Sequence, residues 1–151
     1  MKPITVLLVD DHAFLRKELR EFFKAAEDIK VVGEAKNGRE AVELTLQLQP
    51  AVVVMDLALP LLNGLEATRR ILKTFPSAKV IIFSDHDDNV YVKQATQTGA
   101  VGFVLKQASP SILFQAIREV QAGHLYFSRR RQPPTKRRNP VCKLFSAEGD
   151  A

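Results

Sequence analysis

Five residues could do chemistry together, and each stands at a comparable place in the chain: Asp10 and Asp11, Asp56, Ser84 and Lys106. Each follows a short apolar run. Thr5-Val6-Leu7-Leu8-Val9 leads into Asp10-Asp11, Ala51-Val52-Val53-Val54-Met55 into Asp56, Lys79-Val80-Ile81-Ile82-Phe83 into Ser84, and Gly102-Phe103-Val104-Leu105 into Lys106. Carboxylates can attack an electrophile or hold a hard cation, while a hydroxyl and an ammonium can bond and neutralise an anion. Whether these groups meet depends on the elements that carry them.

Ala51–Met55 is apolar without alternation and rich in Val, which suits a strand covered on both faces in a parallel sheet. Thr5–Val9, Val31–Ala35, Lys79–Phe83 and Gly102–Leu105 read as four more strands. Between them, helical apolar spacing predicts helices over His12–Glu27, Glu40–Leu48, Leu65–Phe75 and Val90–Thr98, the last stopped by Gly99. Asn37-Gly38 reads as a turn and Pro60–Gly64 as a loop. Asp87-Asp88 suits the first turn of the fourth helix, where the helix dipole favours acids. Ser109-Pro110 reads as an N-cap with Pro at the first helical position, opening a fifth helix that ends at Gly123. Five strand–helix alternations with short connections predict an α/β fold, a five-stranded parallel sheet of (βα)5 type with helices on both faces. In a flavodoxin-like order 2-1-3-4-5 the switch point lies between strands 1 and 3. A site there draws on strands 1, 3, 4 and 5 and misses strand 2, whose end (Glu34-Ala35-Lys36-Asn37-Gly38) carries nothing comparable.

Adjacent strands 1 and 3 bring Asp10, Asp11 and Asp56 together. At about 4 Å a like-charge pair costs on the order of 4 kcal/mol at an effective dielectric near 20. Either one carboxylate takes up a proton or the site binds a hard cation. An oxygen-only cluster with no His or Cys spacing favours Mg2+. A divalent cation, the Lys106 ammonium and the Ser84 hydroxyl around Asp56 are the parts needed to move a phosphoryl group onto that carboxylate, giving an aspartyl phosphate.

Val9-Asp10-Asp11-His12, Met55-Asp56-Leu57-Ala58-Leu59-Pro60, Asn63-Gly64-Leu65-Glu66-Ala67 and Gly99-Ala100-Val101-Gly102-Phe103-Val104-Leu105-Lys106 resemble, in combination, the motifs of the response regulator receiver domain of two-component systems. The resemblance covers residues 4 to about 128. The stretch from Ala116 to Ser128 is most similar to the NarL/LuxR-type subfamily, whose receivers precede a helix-turn-helix domain. By position, the resemblance implies that Asp56 is the phospho-acceptor, that Asp11 and the Ala58 backbone carbonyl bind Mg2+ directly, and that Asp10 acts through a water. It implies that Ser84 and Lys106 contact the phosphoryl group. Phe103 takes the aromatic switch position, which biases a face made of helix 4, strand 5 and helix 5. The partner implied is a sensor histidine kinase, with a homodimer as a further expectation; the chain is a signalling switch, not an enzyme. Three residues depart from the pattern. Asp85 stands where a small residue is usual and is a candidate modulator of phosphodonor entry or acyl-phosphate hydrolysis. Leu59 replaces the usual Met, and Gln107 follows Lys106 in place of a common Pro.

Other readings fit less well. Haloacid dehalogenase-type phosphatases carry a D-x-D pair after strand 1, whereas these aspartates are adjacent. A flavodoxin needs a Ser/Thr/Gly loop there, and this one is acidic. Taken singly, Asp11 reads equally well as a helix N-cap, Ser84 as a turn residue, Lys106 as a solvated lysine and Phe103 as core. His12, His86 and His124 share no ligand spacing, which favours surface or packing roles.

The net charge of +5 belongs to the end of the chain: residues 129–151 hold seven Lys/Arg and two acids, leaving fifteen of each sign in residues 1–128. Any argument from charge to nucleic acid therefore concerns residues 129–151 alone. That segment, with two basic triplets and three prolines, reads as a disordered, solvated tail on a receiver domain spanning residues 1–128. Its last eleven residues are too few for a helix-turn-helix; a truncated LuxR-type regulator, a receiver acting through protein partners, and electrostatic nucleic-acid binding by the tail are the alternatives. A lone cysteine, Cys142, excludes an internal disulfide, and the six-residue apolar run near the N-terminus is too short for a signal or a span. The expectation is a cytoplasmic protein with no membrane association.

Overall fold

The computed structural model describes residues 2–85 and 89–127, with backbone segments at Ser146–Ala147 and Gly149–Asp150 that pair with each other. His86, the Asp87-Asp88 pair and the rest of the tail lie outside the described residues. In chain order the elements are β1 Ile4–Val9, α1 Ala13–Lys24, β2 Ile29–Ala35, α2 Gly38–Leu48, β3 Val52–Met55, α3 Gly64–Thr74, β4 Lys79–Ser84, α4 Asn89–Gln97, β5 Gly102–Leu105, α5 Pro110–Gln121 and β6 Tyr126–Phe127.

All strand pairings in the main sheet are parallel, in the order β2-β1-β3-β4-β5-β6. The expected order is present, and a sixth strand extends it: Tyr126 and Phe127 pair with Gly102 and Phe103. Two residues carry too little pattern to announce a strand; the pairing is imposed by α5, which returns the chain to the β5 edge.

Side chains alternate across each strand, so the two faces fill two separate cores. Val6, Leu8, Val52, Val54, Ile81, Phe83 and Val104 meet Leu19 and Phe23 of α1 and Leu113, Ile117 and Val120 of α5. Leu7, Val9, Val53, Met55, Val80, Ile82 and Phe103 meet Ala41 of α2, Ala67 and Ile71 of α3, and Ala95 of α4. This is why the central strands read as unbroken apolar runs.

Local signals set the helix starts. Asn37 accepts a hydrogen bond from the Glu40 amide, while Glu40 accepts one from the Lys36 amide, and Asn63 caps α3 by accepting from Glu66. Ser109 stands at the N-cap of α5 with Pro110 behind it, but its hydroxyl pairs with Ser111 Oγ and not with a helix amide. α1 is shorter than expected and β2 longer, because the Ala25 and Ala26 amides turn back to Phe22 and Phe23 and Ile29 already pairs with Ile4. Gly99, at φ +97°, ends α4 in a conformation that disfavours a side chain.

Two glycines hold the β3–α3 connection in place. A Cβ on Gly64 would lie 2.0 Å from the Asp56 carbonyl oxygen, and one on Gly38 would lie 1.9 Å from the Leu62 carbonyl oxygen. The start of α3 thus rests directly on the end of β3, and the start of α2 directly on the connection.

Candidate functional site

The carboxyl ends of β1, β3, β4 and β5 bring four chain-distant residues to one edge of the sheet. Register does the positioning: Val9 pairs with Met55, so Asp10 and Asp56 leave their strands side by side, and the Asp56 amide donates to the Val9 carbonyl at 3.0 Å. Ser84 pairs with Leu105, and the Lys106 amide donates to the Ser84 carbonyl at 2.9 Å.

At the centre is an ion pair with two carboxylates on one ammonium. Lys106 Nζ lies 2.7 Å from Asp10 Oδ2 and 3.4 Å from Asp56 Oδ2. Both aspartates are nearly closed to solvent. Asp56 Oδ1 receives a long contact of 3.4 Å from the Ala58 amide. Asp56 Oδ2 is buried and accepts no hydrogen bond. Burial pushes the Asp56 carboxyl above its ordinary range, and the Asp10 charge adds to it against the pull of Lys106. Burial alone would lower the Lys106 ammonium, but the hydrogen bond it donates to Asp10, the Asp10 charge and then the charge of Asp56 outweigh it and hold it above its usual value.

Asp11 stands at the rim, more exposed than its neighbour. It does not cap α1: His12 is the N-cap residue, and it is Asp10 Oδ1 that accepts from the His12 amide at 2.9 Å. One ligand atom each from Asp10, Asp11, His12 and Asp56 all fall within 4.8 Å of one another. A buried carboxylate oxygen without a hydrogen bond, set among further carboxylates, suits a small hard cation. Ser84 is almost fully buried at the end of β4, Asp85 after it is exposed, and the Asp85 carbonyl accepts from Gln107 Nε2 at 3.4 Å. There is no cis peptide bond among the described residues, at Lys106-Gln107 or elsewhere. Phe103 is not at this edge: it is fully buried two residues before the carboxyl end of β5, in the core shared with residues of α3 and α4.

Two contributions were not legible in the sequence. His12, expected in a surface or packing role, is largely exposed but directs Nδ1 to Asp10 Oδ1 at 2.7 Å and lies 3.3 Å from Asp11 Oδ1. The bond to Asp10 raises its pKa above the ordinary imidazole value. β2, expected to contribute nothing, acts at one remove. Glu34 on β2 binds Arg16 Nε at 3.0 Å and Arg20 Nε at 2.8 Å, and Arg16 Nη1 donates to the Asp10 carbonyl at 2.6 Å. An Arg on α1 opposite a strand acid is too common a pattern to single out without coordinates. His124, by contrast, does take a surface role, against Glu119 at 2.7 Å.

The family profile described as "Response regulator receiver domain" matches residues 6–118. The transcriptional activator protein ExaE of Pseudomonas putida is 40% identical over 121 residues, covering 80% of this chain and 56% of that protein. The nitrate/nitrite response regulator protein NarL of Escherichia coli is 36% identical over 127 residues, covering 84% of this chain and 59% of that protein. Among solved structures, a LuxR-family two-component response regulator from an Aurantimonas species superposes with a TM-score of 0.80 at 36% identity, covering 83% of this chain and 89% of that one. The chain spans a little over half the length of the curated relatives it matches, from 52% upward.

Proposed function

The chain belongs to the receiver domain family of two-component response regulators, of the NarL/LuxR type, and from that premise we propose that Asp56 accepts a phosphoryl group from the phosphohistidine of a sensor histidine kinase. The observation that carries this reading is Asp56 Oδ2, buried without a hydrogen bond among carboxylates and 3.4 Å from Lys106. A carboxylate oxygen that accepts no hydrogen bond keeps its lone pairs available for attack, and Asp56 has one at the sheet edge where open α/β folds place ligands.

Asp10, Asp11, Asp56 and the Ala58 carbonyl would hold Mg2+, which when bound neutralises phosphoryl oxygens and orients the group. The remaining work falls to the chain. The Asp56 carboxylate attacks phosphorus in line; the new O–P bond forms as the P–N bond to the donor imidazole breaks, and its electron pair stays on the imidazole nitrogen. Lys106 moves from Asp10 toward the incoming negative charge, and the Ser84 hydroxyl bonds a phosphoryl oxygen. Phe103, packed beneath α4, couples that movement to the face made of α4, β5 and α5, which changes its binding of partners or of a second copy. The protein is thus a cytoplasmic switch that assists its own phosphorylation and dephosphorylation, with no turnover of a separate substrate. Asp85, exposed beside Ser84, would slow the approach of an anionic donor, and Asp85→Ala would change the rate of phosphoryl gain or loss; equal rates would remove that role.

We assign residues 1–128 to the receiver and 129–151 to a separate basic segment, whose charge supports salt-sensitive nucleic-acid contact as a second output. Intact-mass measurement after incubation with Mg2+ and a small acyl phosphate tests the central reading. One phosphoryl adduct is expected, absent in Asp56→Asn and absent with chelator. No adduct in the unaltered protein would overturn it.

A further inference from the structure

β2 supplies none of the acidic side chains gathered at the sheet edge, yet it holds the Asp10 backbone from both ends. The Asp10 amide donates to the Ala35 carbonyl at 3.0 Å. The Asp10 carbonyl accepts from Arg16 Nη1 at 2.6 Å, and Arg16 Nε is held by Glu34 Oε1 at 3.0 Å. Glu34 is fixed in turn through its other oxygen by Arg20 Nε at 2.8 Å. Arg16 stands in the first turn of α1, where its amide donates to the His12 carbonyl, and its side chain is 17% exposed against 48% for Arg20. The carbonyl that Arg16 grips belongs to the peptide group joining Asp10 to Asp11. A peptide group is planar, so a bond to its oxygen fixes the direction in which the chain leaves Asp10 and enters Asp11.

We propose that Arg16 is a positioning residue for cation binding: anchored by Glu34, it locks the Asp10–Asp11 peptide so that both carboxylates are in place before a cation arrives. The inference rests on the reading of the pocket as a Mg2+ site, and it adds residues that touch neither the cation nor the phosphoryl group. A planar guanidinium bonds Glu34 and the carbonyl at once, which a single ammonium on a flexible stem does not reproduce. Charge alone predicts the reverse effect. Arg16 is a cation beside the acidic site, so its removal by charge alone strengthens the attraction for a divalent cation. Loss of positioning weakens binding, because a carbonyl deprived of its donor turns toward water and carries Asp11 with it. The sign of the change separates the two.

The test is Mg2+ affinity by calorimetry on the full chain, in unaltered protein, Arg16→Met and Arg20→Met, with thermal unfolding run beside it. Arg16→Met is expected to bind Mg2+ about tenfold more weakly. Arg20→Met loses the other contact on Glu34 but keeps the bond to the Asp10 carbonyl, and it is expected to bind Mg2+ at least as tightly as the unaltered protein. Equal or tighter binding in Arg16→Met overturns the proposal. So does an equal weakening in both variants, which would tie the loss to the α1–β2 contact in general. Should Arg16→Met fail to fold, Arg16→Lys decides: it keeps the charge but gives up the two-point grip, and binding within about twofold of the unaltered protein overturns the proposal. Phosphoryl adduct formation is read separately. An adduct in the unaltered protein with unchanged Mg2+ affinity in Arg16→Met removes the role of Arg16 alone, whereas absence of both Mg2+ binding and adduct in the unaltered protein removes the underlying reading of the site as well.

Discussion

Lys106 Nζ stands closer to Asp10, at 2.7 Å, than to Asp56, at 3.4 Å, so the ammonium is parked on the neighbour of the proposed nucleophile. It neutralises the pair while leaving Asp56 Oδ2 without a hydrogen bond. Removing one partner of a fully buried pair costs about 3–5 kcal/mol; here the pocket opens to solvent at Asp11 and His12, which softens the loss. Lys106→Met is expected to destabilise the metal-free protein by about 1–3 kcal/mol on that scale. Urea unfolding with chelator checks this, and added Mg2+ is expected to restore part of the loss.

Asp56→Asn acts in the opposite direction. It removes one charge from a like-charge pair that costs on the order of 4 kcal/mol before Lys106 offsets part of it. The metal-free variant is expected to gain about 1–2 kcal/mol of that cost in unfolding free energy. Unfolding measured at neutral pH with chelator gives the sign; a loss of stability would mean that Lys106 over-compensates the pair.

Gly64→Ala places a methyl 2.0 Å from the Asp56 carbonyl oxygen, a backbone atom that cannot swing aside. The start of α3 must move off β3, at a cost of about 1–3 kcal/mol. Because Asp56 and Ala58 flank that contact, the same variant is expected to weaken Mg2+ binding, which calorimetry reads independently of stability.

Leu61 occupies the left-handed region at φ 68° and is 75% exposed. A branched side chain there costs about 1–2 kcal/mol, and little packing offsets it. Leu61→Asn is expected to raise stability by about 0.5–1 kcal/mol, since Asn tolerates this conformation. Thermal unfolding of the two proteins provides the comparison.

Arg118 on α5 holds Asp28, before β2, through a two-point contact of 2.7 and 2.9 Å. The Arg118 bond lowers the Asp28 pKa below the ordinary carboxylate value. The contribution is therefore present above that ordinary value and is lost as pH falls through the lowered one. Both groups are more than a third exposed, so it is worth at most about 1 kcal/mol. Arg118→Met is expected to be less stable at neutral pH, with the difference shrinking in acid; a difference independent of pH would assign the loss to packing.

The run Ala51–Met55 and its counterparts in β1, β4 and β5 determined the parallel sheet, because strands buried on both faces have few polar positions to spare. The same regularity put Asp10, Asp56, Ser84 and Lys106 at strand ends, and a sheet order with strands 1 and 3 adjacent then brings them together. Those facts follow from local chain chemistry and period. The structure alone decided which partner Lys106 takes, that one oxygen of Asp56 is left without a hydrogen bond, that His12 turns into the acidic pocket, and that Glu34 reaches Asp10 through Arg16. Each depends on distances between residues from different elements, set by strand register and by the close approach of Gly64 to Asp56 and of Gly38 to Leu62. A sequence records which side chains stand at a sheet edge; how they divide hydrogen bonds and charge is settled only when packing sets their separations to tenths of an ångström.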